Sequence, residues 1–165
     1  MGRGRRIRAS ASFLNDSMPN NDHDFPRFTI ETNLRRYCCV RASLDGLRIL
    51  ILEDEFLIAM DIEQLCRDYG ALNVVIARDL TEIEQQDVAA QFDVAIVDLM
   101  LSGVSTLQFA SRLREAGIPF VFASGYSDTD EIKKSFPSVR LVTKPYSGDD
   151  LVEAVAAACR RTHLR

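Results

Sequence analysis

The chain is expected to fold as a doubly wound α/β domain built on a five-stranded parallel sheet. Three observations carry that expectation. Five short apolar runs of strand length are spaced along residues 46–165. Stretches with helical periodicity and recognisable start or stop signals separate them. Acids, a hydroxyl or a lysine follow four of the five runs, where strands pointing the same way would deliver them to one edge.

Leu47-Arg-Ile-Leu-Ile-Leu52 is a β-rich run that stops at acids, as a strand buried on both faces does when its end opens on a site. Ile58, Ile62, Leu65 and Tyr69 then recur at helical spacing, and Gly70 is placed to end that helix. Residues 73–77 read as the second strand, and Thr81-Glu-Ile-Glu84 has the form of a capping box opening a second helix. Residues 92–97 form the third strand, with Asp98 at its end. Residues 105–116 are expected to be helical, with Phe109 and Leu113 inward and Gly117 closing the helix. Strand four is Phe120-Val-Phe-Ala123, and residues 128–136 support only a short, weakly apolar helix. Strand five covers residues 139–143, and Ser147 with Asp150 caps a last helix through Leu151, Val155 and Cys159. Parallel strands joined this way need right-handed crossovers and helices on both faces.

Composition narrows the class. With 47% hydrophobic and 27% charged residues in 165, the chain can bury a core, and no apolar run reaches the roughly 20 residues of a membrane span. Residues 1–45 read differently from the rest: eight arginines against five acids give +3, and no period of 2 or 3.6 is sustained. They are expected to form a flexible basic arm, faintly similar to a transit peptide at its start, ahead of a domain over residues 46–165. That domain carries twelve basic and nineteen acidic side chains, −7 in all, so it gains nothing from nucleic acid phosphates. Cys38, Cys39, Cys66 and Cys159 have no C-x-x-C or zinc spacing, which favours a reducing, cytoplasmic setting. Cys66 and Cys159 read as small hydrophobes, Phe109, Phe120 and Phe122 as core, and Met60 as core or as filler on a helix face.

The chemistry lies at the strand ends. Strand one leaves Glu53, Asp54 and Glu55; strand three leaves Asp98; strand four leaves Ser124; strand five leaves Thr143, Lys144 and Pro145. Carboxylates held about 4 Å apart repel by on the order of a few kcal/mol at an effective dielectric near 20, so the set calls for a cation. Mg2+ suits it, because this hard ion takes one or two carboxylates and keeps several waters. Lys144 and Ser124 would then face a phosphoryl group from the other side. The arrangement is that expected for phosphoryl transfer to a carboxylate.

Over residues 47–161 these motifs resemble the receiver domains of two-component response regulators, whose flavodoxin-like fold has strand order 2-1-3-4-5. The resemblance implies that Asp98 accepts a phosphoryl group from a histidine kinase or histidine phosphotransfer protein. It makes Asp54 the principal Mg2+ ligand, Glu53 a ligand through water, and Asp98 and the Met100 backbone carbonyl the rest of the shell. Lys144 would neutralise phosphoryl oxygens, Ser124 would swing towards the modified site, and the Lys144–Pro145 peptide would be cis. No output domain is expected after the last helix, so the chain reads as a stand-alone receiver that signals through a protein partner, a homodimer being admissible. The alternative is a pseudo-receiver that binds partners without phosphate.

Departures from the commonest receiver pattern sharpen the reading. Leu141 replaces the usual aromatic switch residue three positions before the lysine. Phe122-Ala-Ser-Gly-Tyr126 resembles the Phe-Ala-Thr-Gly variant of a single-domain subfamily. Met100 and Tyr126 occupy the two positions that govern water access; both are large and neither orients water, which implies slow self-dephosphorylation. Ser102 stands where proline is usual, which should loosen its loop. Dehalogenase-like phosphatases and topoisomerase-primase metal sites want a second Asp at position 100, and a flavodoxin phosphate cradle would not carry Glu53-Asp-Glu55. G-x-G-x-x-G and Walker A loops are absent.

Overall fold

The computed structural model describes residues 42–83, 87–125 and 129–162. Its parallel sheet is assembled from β1 (Arg48–Leu52), β2 (Asn73–Ala77), β3 (Val94–Val97), β6 (Phe120–Ser124) and β7 (Leu141–Thr143), in the spatial order β2-β1-β3-β6-β7. Counted along the five sheet strands this is the expected 2-1-3-4-5. The helices are α1 (Phe56–Asp68), α2 (Val88–Gln91), α3 (Leu107–Glu115), α4 (Thr129–Ser135) and α5 (Gly148–Thr162).

Alternation along the strands explains the two cores. Ile49 and Ile51 point one way, with Val94, Ile96, Val121 and Ala123, and are covered by Ile62 and Cys66 of α1 and Leu151, Val152 and Val155 of α5. Leu50 and Leu52 point the other way, with Ala95, Val97, Phe120 and Phe122, under Val88 of α2, Phe109 and Leu113 of α3, and Ile132 of α4. Phe120, Phe122 and Phe136 meet edge to face, with centroids 5.4–5.9 Å apart. Burial pushes the Cys66 thiol up to about 12, as expected of a cysteine that packs as a small hydrophobe.

Several sequence expectations are narrowed or corrected. Of the two places open to Met60, it takes the helix face, on the solvent side of α1 with Phe56 and Leu57, because the inward stripe runs through Ala59, Ile62 and Cys66. Thr81 is not a helix cap: Asp79 accepts from the Thr81 and Glu82 amides and starts a 3₁₀ turn over Leu80–Glu82, while Asp87 caps α2. Glu84, the other half of the expected box, lies outside the described residues. A two-stranded antiparallel hairpin, β4 (Met100–Leu101) with β5 (Val104–Ser105), precedes α3 and moves its start to Leu107. The Ser147–Asp150 cap matches: the Asp150 amide donates to Ser147 Oγ at 3.1 Å, and that hydroxyl donates to Asp150 Oδ2 at 2.6 Å.

Gly70 ends α1 with φ +92°, a backbone that glycine adopts freely and other residues only under strain, and a Cβ there would also press to 3.3 Å from the Asp45 Cα. Leu44, read as part of the arm, is fully buried, and its amide donates to the Tyr69 carbonyl at 2.9 Å. The rest of the expected arm, residues 1–41, lies outside the described residues, with His23, Cys38, Cys39 and the Arg cluster. Among the described residues, no helix is long and apolar enough to cross a membrane.

Candidate functional site

Parallel strands hand their last residues to one edge, and the backbone ladder continues one residue past each of them. The Glu53 amide donates to Ala77 O at 3.1 Å, the Asp98 amide to Leu52 O at 2.9 Å, and the Lys144 amide to Ser124 O at 2.9 Å. Glu53, Asp98 and Lys144 therefore leave the sheet from fixed backbone positions. Thr106 adds a further tie: this fully buried residue donates its hydroxyl to the Asp98 carbonyl at 2.6 Å.

The side chains converge accordingly. Lys144 Nζ lies 2.5 Å from Glu53 Oε2 and 2.6 Å from Asp98 Oδ2, so one ammonium serves two carboxylates. Glu53 is 1% exposed and Asp98 8%. Burying carboxylates is costly unless they are paired, and here two negative charges share one positive charge. Burial accordingly raises the Glu53 carboxyl above its ordinary value, against the opposing hydrogen bond and charge of Lys144. Desolvation also works against the Lys144 ammonium, but bonds to Asp98 and Glu53 outweigh it and raise that group. Asp98 Oδ1 accepts the Met100 amide at 3.2 Å.

Asp54 occupies the outer rim. Its Oδ2 accepts both the Ser102 amide, at 2.8 Å, and the Ser102 hydroxyl, at 2.9 Å. Burial pushes its carboxyl up, but these two bonds prevail and hold it below the ordinary range. Ser102 was expected to loosen its loop; instead it ties the β4–β5 turn to the end of β1. Ser124 is 2% exposed at the end of β6, and the Lys144–Pro145 bond is cis. Met100 stands at the rim, 38% exposed, whereas Tyr126 lies outside the described residues. Half-buried Tyr146 flanks the site, its hydroxyl pushed up to about 12 by burial.

Thr106 went unnoticed in the sequence because a hydroxyl bound to a main-chain carbonyl leaves no motif. It stands at the N-cap position of α3, yet it makes no side-chain cap bond there.

A metal ion fits the chemistry of this edge. Glu53, Asp98 and Asp54 carry three negative charges against the single charge of Lys144, and all the donors are oxygens. Among the described residues, no three acidic, histidine or cysteine side chains form a ready-made cluster. A hard ion that retains waters and needs only one or two carboxylates suits such a set better than one requiring a full protein cage.

Comparison with known proteins settles the family. Residues 49–156 match the model described as the response regulator receiver domain. The chain belongs to that family. It is 30% identical over 122 residues to the transcriptional regulatory protein DltR of Streptococcus agalactiae, covering 72% of this chain and 54% of that one. It is 29% identical over 117 residues to the transcriptional regulatory protein PdtaR of Mycobacterium tuberculosis, covering 69% and 57%. The receiver thus spans about half the length of the curated relatives it matches. Among solved structures, the response regulator PhyR from Brucella abortus superposes with a TM-score of 0.62 at 26% identity, over 79% of this chain and 55% of that one. A receiver protein from Sinorhizobium medicae gives 0.64 at 24% identity, covering 73% and 99%, and supports the fold.

Proposed function

We propose that this receiver takes a phosphoryl group onto Asp98 from a histidine kinase or histidine phosphotransfer protein in the cytoplasm and passes the signal on by binding a protein partner. The observation that carries the proposal is the sharing of Lys144 Nζ between Glu53 and Asp98 at the carboxyl edge. Such a cation can follow charge from the carboxylate to an incoming phosphoryl group without being desolvated anew.

An Asp98 carboxylate oxygen attacks phosphorus as the P–N bond to the donor imidazole breaks; the bonding pair returns to the ring nitrogen, which takes a proton, and an acyl phosphate remains. Lys144, already within reach of Asp98 Oδ2, holds the new phosphoryl oxygens. The buried Ser124 hydroxyl, at the end of the neighbouring strand, turns towards them. Asp54, Asp98 and the Met100 carbonyl, with Glu53 through water, would hold Mg2+, which when bound neutralises charge on the transferring group. The added charge of about −1.5 to −2 supplies the free energy for repacking the edge. Leu141, partly buried in the α3–α4 core, has no ring to rotate, so that repacking follows a different course from the aromatic switch. Together with Phe122-Ala-Ser-Gly125 it supports a place in the Phe-Ala-Thr/Ser-Gly variant group of single-domain receivers.

Incubation with acetyl phosphate and Mg2+ tests the reading. A hydroxylamine-labile phosphate is expected on the parent and not on Asp98→Asn; its absence from both would favour a phosphate-independent interaction module. Once formed, the acyl phosphate is expected to persist, because Met100 and Tyr126, at the two positions that govern water access, are large and offer no group that orients water. Following phosphate loss checks this: Met100→Asn should shorten the lifetime several-fold, and a rapid loss that the substitution leaves unchanged would count against it.

A further inference from the structure

Asp54 is aimed by a device with no counterpart among the site residues so far named. The link between β3 and α3 is a two-residue hairpin in which Met100 pairs with Ser105 and Leu101 with Val104. Its turn residues both have positive φ, 48° at Ser102 and 85° at Gly103, as a tight hairpin of the primed class requires. Glycine adopts such a backbone freely, whereas at Ser102 the conformation is disfavoured. What is gained is contact: in this conformation the Ser102 amide and hydroxyl both donate to the same oxygen, Asp54 Oδ2, at 2.8 and 2.9 Å. A carboxylate oxygen has two lone pairs, so Oδ2 is fully engaged and the side chain is fixed with Oδ1 left to other work.

We propose that Ser102 is a positioning residue for the metal site, holding Asp54 in one orientation so that a single oxygen meets a divalent cation. The proposal rests on the reading of Asp54 as a Mg2+ ligand given above. Mg2+ demands near-ideal octahedral geometry, and a carboxylate anchored through its second oxygen meets that demand without first losing side-chain freedom.

Calorimetric titration of the full chain with Mg2+ alone, beside thermal unfolding without metal, separates aiming from turn-making. Ser102→Gly keeps the amide and suits the positive φ, so the metal-free unfolding temperature should hold or rise. Losing the hydroxyl should nonetheless weaken Mg2+ binding on the order of 10-fold. Ser102→Thr restores the hydroxyl on a β-branched residue that resists this backbone; it should unfold earlier yet bind Mg2+ close to the parent. A purely structural turn residue gives the opposite ranking, with glycine binding normally and threonine weakened, and that result overturns the proposal. Equal or tighter binding by Ser102→Gly overturns it too, leaving the metal site intact. Absence of Mg2+ uptake by the parent removes both the metal reading and the role built on it.

Discussion

The two edges of the sheet solve the same electrostatic problem in opposite ways. At the amino edge Arg48 and Asp93 pair one to one: the Arg48 amide and guanidinium bind Asp93 at 2.8–3.1 Å, with both side chains 36% exposed. At the carboxyl edge two carboxylates share one lysine and are almost wholly buried. All four polar residues buried among the described residues, Glu53, Asp98, Thr106 and Ser124, lie at that carboxyl edge or support it. Balanced and wet, the first edge staples β1 to the loop before β3. Unbalanced and dry, the second carries a charge excess that a fold alone has no reason to keep, and that excess is what a metal ion and a phosphoryl group can use.

Removing the shared cation should have the largest effect on stability. Lys144→Met leaves Glu53 and Asp98 buried without a counter-charge, a loss of about 3 kcal/mol. Urea unfolding would show it. Adding Asp98→Asn to that background should recover part of the loss by removing one of the two uncompensated charges. The contrast between the edges breaks if Lys144→Met costs no more than Arg48→Ala, whose exposed pair faces solvent that can replace it.

How much of this was legible depended on period. The sheet strands announced themselves as apolar runs, and the converging residues followed from parallel geometry, while the strand order came from the resemblance to receiver domains. The β4–β5 hairpin did not, because two-residue strands have no period to read, and its turn carries serine where Asn or Gly usually signals positive φ. Ser102 was visible only as a missing proline; that its amide and hydroxyl reach Asp54, 48 residues earlier, is a tertiary fact. Thr81 failed as a cap because Asp79, two residues earlier, starts the turn first: its carboxylate accepts from the Thr81 and Glu82 amides and from the Thr81 hydroxyl itself. Met60 was left between core and helix face because helical spacing identifies a stripe without saying which of two adjacent stripes faces inward.

The smallest effect, and the finest test of the contrast, is the response to acid. Glu53 has a folded-state carboxyl raised above its ordinary 4.5, so in the window just above that value the folded protein holds more proton than the unfolded one. Its contribution therefore falls as pH rises through the window and is regained on acidification. Asp93 behaves in reverse: the bond from Arg48, working against desolvation, lowers its carboxyl below 3.8. The stability it confers is present above 3.8 and is lost as pH falls through the folded value. Unfolding measured from pH 7 to 3 should thus lose its upper slope in Glu53→Gln and soften its lower collapse in Asp93→Asn. Part of that collapse should remain in the second variant, because Asp54 is depressed in the same range by Ser102. Identical profiles for the two variants would mean that the edges do not differ in the way their geometry requires.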